Sequence, residues 1–316
     1  MAQRRDEAGS QPSEGTIASK SGADVAEPKS AQKSIMKILS PGLYLVSTPI
    51  GNLGDMTKRA LDTLAQVELV ACEDTRMTGK LLTLLGVKAS LTPYHEHNAE
   101  RARPAIIARL QDGAAVALVS DAGTPLLSDP GYRLVRACLD EGLPVTSVPG
   151  ASAVLPALQL SGLPSDRFFF AGFLPNKTVA RRKELGGLAS VPATLVFYES
   201  PQRLAESLAD MAEVLGARDA AVARELTKLH EETRRGTLAE LTAHYAAADT
   251  PKGEIVIVIG PPADDAAPDA ASVDAMLTEA LRTLSVREAA AQVTAMTGLP
   301  RRVIYTRALE LQGRKE

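Results

Sequence analysis

Residues 115–131 read AVALVSDAGTPLLSDPG. The first five, Ala115 to Val119, form an apolar run without charge, which suits a strand buried on both faces of a parallel sheet. The run stops at Ser120-Asp121-Ala122-Gly123-Thr124-Pro125, where small and turn-forming residues leave the backbone open to close approach. In an open α/β sheet, ligands sit beyond the carboxyl ends of the strands. A plain βα turn with an aspartate cap is the competing account. This connection is longer than a simple crossover needs, however, and Pro125, Pro130 and Gly131 stiffen it, which favours a ligand.

Upstream, Leu43–Val46 reads as the first strand, followed by Ser47-Thr48-Pro49-Ile50-Gly51-Asn52-Leu53-Gly54-Asp55 and a helix from about residue 56, with Asp55 as its N-cap. The glycine spacing is neither the dinucleotide fingerprint nor a Walker loop. A second strand, Val67–Cys72, is expected beside the first and ends in Glu73-Asp74-Thr75-Arg76. Two carboxylates and an arginine at a strand's carboxyl end suit chemistry, and they equally suit a helix cap at Asp74 or Thr75. A short strand at 91–94 leads to His95-Glu96-His97-Asn98, with helix from 99 to 110. If the chain stays extended there, His95 and His97 share a face. No third ligand accompanies them, so no metal site is expected. Downstream, helix 132–140 and strand Val145–Val148 lead to Pro149-Gly150-Ala151-Ser152-Ala153 and an apolar helix at 154–160. Three strand ends rich in small residues, after Val46, Val119 and Val148, thus line one crevice.

Residues 161–165 (SGLPS) read as a hinge between two α/β domains, 41–162 and 163–262. In the second, Phe168–Phe170 reads as a core strand, and further strands are expected at 193–198, 220–223 and 253–259. Lys177, Arg181, Arg182 and Lys183 form the clearest basic cluster, a solvated helix face or a contact to a phosphate backbone. Residues 261–271 (PPADDAAPDAA) read as a linker. Beyond it, 273–284, 286–297 and 301–311 show helical spacing in an appendage at 272–316, either a helix-turn-helix bearing Arg301, Arg302 and Arg307 or a unit that packs or dimerises. Residues 1–40 are rich in Ser, Gly, Ala, Glu and Lys and read as a disordered tail.

Composition narrows the function. Among 316 residues aromatics make up 3%, with no Trp, so the core rests on Leu, Val, Ile and Ala. The net charge of -3 gives no global field for nucleic acid, and polyanion contact requires a local patch. Two cysteines without a CxxC pattern point to a reducing compartment and no thiolate zinc site. No apolar run suits a membrane span or a signal peptide, which leaves a cytoplasmic protein.

The stretches 45–55, 72–76, 120–130, 148–153 and 197–201 occur in one order, with Arg224-Glu225-Leu226-Thr227-Lys228 and Gly253-Glu254 behind them. Together they closely resemble the ribosomal RNA small subunit methyltransferase I family, a branch of the tetrapyrrole-methylase-like S-adenosylmethionine enzymes. The resemblance covers about residues 43–260 and extends to the helical tail. It implies two α/β domains with S-adenosylmethionine in the cleft between them, a homodimer, and 2′-O-methylation of a cytidine in the decoding region of 16S ribosomal RNA. Its acceptor is the 16S rRNA, naked or in an assembling small ribosomal subunit. Carried over by residue, the donor lies against Pro49, Gly51, Asn52, Gly54 and Asp55, against Ser120, Asp121, Ala122, Gly123, Thr124 and Pro125, and against Ala151 and Ser152. The wider superfamily has a more glycine-rich first loop, from which Ile50 and Leu53 depart.

The chemistry asks for a ribose hydroxyl aimed at a methyl group and relieved of its proton. Glu73, Asp74 and His95 are candidate bases, with Arg76 to hold a phosphate or orient a carboxylate. Glu199 and Glu225 stand in reserve. Lys177, Arg181, Arg182 and Lys183 are the candidate RNA contacts. Two other readings remain open: methyl transfer to a tetrapyrrole or other small molecule, and a non-catalytic ligand-binding or ribosome-assembly factor.

Overall fold

The computed structural model describes residues 39–262, 270–282, 284–297 and 299–313. The tail expected at 1–40 lies, except for its last two residues, outside the described residues, as does most of the linker at 261–271.

Five short segments, the three central ones strongly apolar, build a wholly parallel sheet. They are β1 (Gly42–Val46), β2 (Leu69–Cys72), β3 (Leu91–Pro93), β4 (Ala115–Val119) and β5 (Val145–Val148), in the order β3-β2-β4-β1-β5. Parallel strands need crossovers that cover both faces, which is why β2 and most of β4 are buried throughout. Crossover helices α1 (Lys58–Leu64), α2 (Thr75–Leu84), α3 (Ala99–Gln111) and α4 (Tyr132–Asp140) flank the sheet. Leu64 and Leu82 pack on one face of it, Ile106, Leu110 and Leu134 on the other. The strand expected beside β1 is separated from it by β4, because the chain crosses back after β3 to fill that place. All five carboxyl ends point to one edge, and the loops there are tied together. Thr48 and Gly123 exchange both backbone hydrogen bonds, at 2.9 and 3.0 Å. The Thr124 hydroxyl donates to the Ala151 carbonyl at 2.9 Å.

A second sheet is mixed, with β6 (Phe168–Phe173), β7 (Thr194–Glu199), β8 (Asp219–Arg224), β9 (Glu232–Thr237) and β10 (Ile255–Ile259) in the order β6-β7-β10-β8-β9. The central β10, IVIVI, is buried on both sides. One face is covered by α6 (Thr178–Leu188), α7 (Leu204–Leu215) and α8 (Leu238–Ala247), through residues such as Leu185, Leu208 and Leu241. The other face packs on α5 (Val154–Ser161), whose Val154, Ala157 and Leu158 share a core with Val196, Ala223, Val256 and Val258. Ile50 from the loop after β1 enters that same core and fastens the first sheet's loops to the second sheet.

Several expectations are corrected here. The first helix begins at Lys58, capped by the Thr57 hydroxyl, which accepts from the Ala60 amide; Asp55 ends a short 3₁₀ turn instead. Phe168 and Phe169 are not core residues but 42% and 44% exposed, because they begin an edge strand, β6. Strand β9 (ETRRGT) and α8 have no counterpart in the sequence reading. The strand is a polar edge strand tied to β8 by a cross-strand ion pair rather than by an apolar face, with Glu232 opposite Arg224 and bonded to it at 2.7 Å. Helix α8 is announced by a capping box, Thr237 with Glu240.

The last described segment is a bundle of α9 (Ala270–Ala280), α10 (Val286–Thr297) and α11 (Arg301–Gly313) around Leu277, Val293 and Ile304. Arg307 ties α11 to α9 through a bidentate pair with Asp274 at 2.6 and 2.5 Å, so it is a packing residue. Arg301 and Arg302 remain exposed.

Candidate active site

A cleft of about 400 Å³ opens where the carboxyl ends of the first sheet meet the second sheet. One wall comes from the loop after β4: Asp121, Ala122, Gly123, Thr124, Leu127, Ser128 and Asp129. Opposite it stand Phe173, Tyr198–Pro201, Leu226 and Gly253–Val256, with Ile50 and Ala153 completing the lining. Gly123 has φ +80°, and a Cβ there would press on the Ile50 side chain at 3.3 Å. Backbone rather than side chain therefore faces the cleft at that point.

The four residues Asp121–Thr124 stand in the cleft as expected. Ser120 and Pro125 are buried beneath it, and the Ser120 hydroxyl turns inward to the Ala122 and Gly123 carbonyls. Ala151 supports the wall from behind through the Thr124 bond, while the Ser152 hydroxyl accepts from the Val154 amide at the start of the next helix. The first loop is different. Pro49 is buried, while Gly51, Asn52, Gly54 and Asp55 are exposed outside the cleft lining, and Ile50 alone enters it. Gly51, at φ +148°, lies under the aliphatic stem of Lys228, 2.4 to 2.9 Å from where a Cβ would stand. The Lys228 ammonium bonds Glu225 at 2.8 Å and Glu254 at 2.9 Å, so this lysine joins the first loop to the far wall.

The candidate bases separate by environment. Asp74 caps α2 through the Arg76 amide at 2.8 Å and also binds the Arg76 guanidinium at 3.1 and 2.7 Å. The hydrogen bonds from Arg76 hold its carboxyl well below the ordinary range. Asp74 thus takes the cap that was the alternative to a catalytic role, and it and Arg76 satisfy each other. Glu73 is half-buried; burial, and after it Asp121, push its carboxyl upward, while His95 opposes the shift. His95 and His97 do not share an extended face. The chain turns at 96–98, where the Asn98 side chain accepts from the His95 amide at 2.9 Å, and the rings stand edge-on. Among the described residues no group of three or more His, Cys, Asp or Glu suits a metal. Cys72 and Cys138 are free and buried.

Two cleft residues carry chemistry that the sequence reading left unassigned. Burial, then Glu73 and Asp121, push the Asp129 carboxyl up to about 6. Burial, then Asp129 and Glu254, push Tyr198 up to about 12, so it stays a neutral phenol. A sequence signal existed: Ser-Asp occurs twice in one loop, at 120–121 and 128–129. Glu199 also lines the cleft, but it is buried and committed to the Ser200 amide, the Ser207 hydroxyl and Arg203. Glu225 is held by Lys228.

The basic cluster on α6 divides. Arg181 is 1% exposed and paired with the buried Asp210, which excludes it as an RNA contact. Arg182 reaches Asp210 and Glu213. Lys177 and Lys183 stay exposed.

The fold of a parallel sheet, a mixed sheet and the cleft between them is matched by a family model that places it in the tetrapyrrole-methylase class. Residues 42–242 match the family model of Tetrapyrrole (Corrin/Porphyrin) Methylases, and residues 267–312 match that of the RsmI C-terminal HTH domain. Among solved structures, uroporphyrin-III-C-methyltransferase from Thermus thermophilus shares the fold, with a TM-score of 0.51, 23% identity, and coverage of 70% of this chain and 94% of that one. The cobalt precorrin-4 methyltransferase CbiF does so at 0.52 and 18%, covering 69% and 94%. Ribosomal RNA small subunit methyltransferase I of Mesorhizobium japonicum is 56% identical over 275 residues, 87% of this chain and 93% of the relative. The Escherichia coli O157:H7 protein of the same name is 45% identical, over 86% and 96%. The chain belongs to the ribosomal RNA small subunit methyltransferase I family. It is a methyltransferase, and its methyl donor is S-adenosylmethionine.

The cleft fits that donor. Backbone at Gly123 and the small Ala122 and Ala153 leave room for it, and Ile50, Leu127, Leu226 and Val256 provide apolar surface for a base ring. Asp121 and Glu254 supply negative charge for a sulfonium and an amine.

Proposed function

We propose that the chain methylates the 2′-hydroxyl of a cytidine ribose in the decoding region of 16S ribosomal RNA, using the cleft between its sheets. The observation that carries this reading is the rigid, small-residue wall at Asp121–Thr124, pinned to Thr48 and Ala151 and facing a wall that bears Tyr198 and Glu254. The names of the relatives supply the acceptor. The bound donor supplies an electrophilic methyl group. The protein's part is alignment of the acceptor hydroxyl, exclusion of water, and acceptance of one proton.

Lys177 and Lys183, with Arg182 partly free, form one RNA contact in this reading. The exposed Arg301, Arg302 and Tyr305 at the start of α11 form a second, which suits the second helix of a helix-turn-helix. The acceptor is the 16S rRNA or an assembling small subunit, in the cytoplasm. No described helix is long and apolar enough to cross a membrane. The exposed Phe168, Phe169 and Leu155 support a homodimer in which a second copy covers them.

The test is methyl transfer from labelled S-adenosylmethionine to small subunits, naked 16S rRNA and free tetrapyrrole precursors, with the modified nucleotide mapped. Transfer to a cytidine 2′-oxygen of the rRNA is expected. Transfer to tetrapyrroles alone, or to none of these, overturns the reading.

A further inference from the structure

We infer that the Asp129 carboxylate is the group that takes the proton from the acceptor ribose hydroxyl. This rests on the function just proposed.

Asp129 lines the cleft in the loop between β4 and α4, across from Tyr198 and Pro201. The loop holds it there by a costly backbone. Leu126 at φ +73° and Ser128 at φ +65° are left-handed without being glycine, and Gly131 follows at φ +141°. Such conformations persist where the surroundings enforce them, and they gather at functional sites. The surroundings here come from the second sheet. Strand β6 bulges between Phe170 and Gly172, and Gly172, at φ +68°, lets the Ser128 hydroxyl approach to 3.1 Å of where a Cβ would stand. The carboxylate is thus placed by contact between the two halves of the site.

The competing carboxylates are occupied. Asp74 belongs to Arg76, Glu199 to Ser200, Ser207 and Arg203, and Glu225 and Glu254 to Lys228. Asp121 accepts the Asp74 amide at 3.1 Å. Glu73 lies outside the cleft lining. Asp129 forms no ion pair with a described residue. The groups facing it are Glu73 from the end of β2, Asp121 and Ser120 from its own loop, and Tyr198 from β7. Burial and the two carboxylates raise its proton affinity, and the Ser120 hydroxyl opposes them. A carboxylate so tuned is a better base than an exposed aspartate and is still ionised at neutral pH.

The step balances. The ribose oxygen bonds to the methyl carbon, the methyl–sulfur bond breaks, and its electron pair stays on sulfur as the sulfonium becomes a neutral thioether. The hydroxyl proton passes to Asp129 and from there to water.

Two experiments test it. Carbon-13 NMR of the donor-free protein, labelled in aspartate carboxyls, is expected to show one resonance titrating near pH 6 that Asp129→Asn removes. Single-turnover transfer to small subunits is expected to fall about 10²- to 10⁴-fold in Asp129→Asn, with S-adenosylhomocysteine affinity by calorimetry unchanged. Asp129→Glu, which keeps a carboxylate, should recover part of the rate and an acidic limb in the pH profile. Wild-type turnover by a folded Asp129→Asn, or an unchanged NMR titration in it, overturns the proposal. If that variant does not fold, a pH-independent wild-type rate between pH 5 and 8 overturns it equally. No transfer by the unaltered chain to any ribosomal substrate defeats the functional reading first, a result distinct from transfer that ignores Asp129.

Discussion

The Arg181 guanidinium is buried against the Asp210 carboxylate, Nε to Oδ2 at 2.5 Å, with side chains 1% and 4% exposed. Arg182 shares the same carboxylate from the surface side, at 2.6 Å. The pair clamps α6 onto α7 and takes Arg181 away from any RNA surface, while Arg182 stays 40% exposed.

Asp210→Ala leaves Arg181 charged in a dry site, so a destabilisation of about 3–5 kcal/mol is expected in urea unfolding. Replacing Lys177 and Lys183 together by Ala should leave stability unchanged and flatten the salt dependence of binding to small subunits. An unaltered salt slope in the double variant removes α6 from the RNA surface.

Gly123→Val places a β-branched side chain at φ +80° against Ile50. The backbone strain alone costs about 1–3 kcal/mol. Binding of S-adenosylmethionine, measured by calorimetry on protein that still unfolds cooperatively, should be lost. Unchanged affinity would make the turn purely structural.

Asp74 caps α2 and is paired with Arg76. Asn is also a strong N-cap, so Asp74→Asn should retain the fold within about 1 kcal/mol and keep turnover within a few-fold. Asp74→Ala should cost about 1 kcal/mol or more, since the Arg76 amide loses its acceptor. A collapse of turnover in the asparagine variant, with both affinities intact, would return Asp74 to the base role.

Lys228 spans Gly51 and Glu254, so Gly51→Ala should push its stem aside. The expected readout is a loss of donor affinity of about tenfold, 1.4 kcal/mol, reproduced by Lys228→Ala and not deepened in the double variant. Additive losses would show two separate effects.

Asp129 also predicts a pH dependence of stability. Its folded pKa, about 6, lies above the ordinary aspartate value, so the folded chain binds more protons between pH 4 and 6. This group's contribution to stability therefore falls as pH rises through that window. Asp129→Asn should remove the fall, which solvent screening of a half-buried group limits to on the order of 1 kcal/mol. Urea titrations at pH 4.5 and 7 measure it.

The sequence by itself determined the parallel strands, because a buried strand must be apolar along its length and must end where small residues begin. AVALV and its neighbours announce both features. The motif order likewise pointed to the family and the donor. It did not reveal β9, whose ETRRGT is tied to β8, a partner several residues away in the chain, by the Arg224–Glu232 charge pair. Nor did it separate Arg181 from Lys183, since a helix face is buried or solvated according to what packs on it, here α7 and its Asp210. The site divides in the same way. Gly123 and Asp121 were legible as the open end of one strand. Asp129, Tyr198 and Glu254 became neighbours only when the second sheet closed on the first. A carboxylate's proton affinity is set by burial and nearby charge, and both come from elements far apart in the chain.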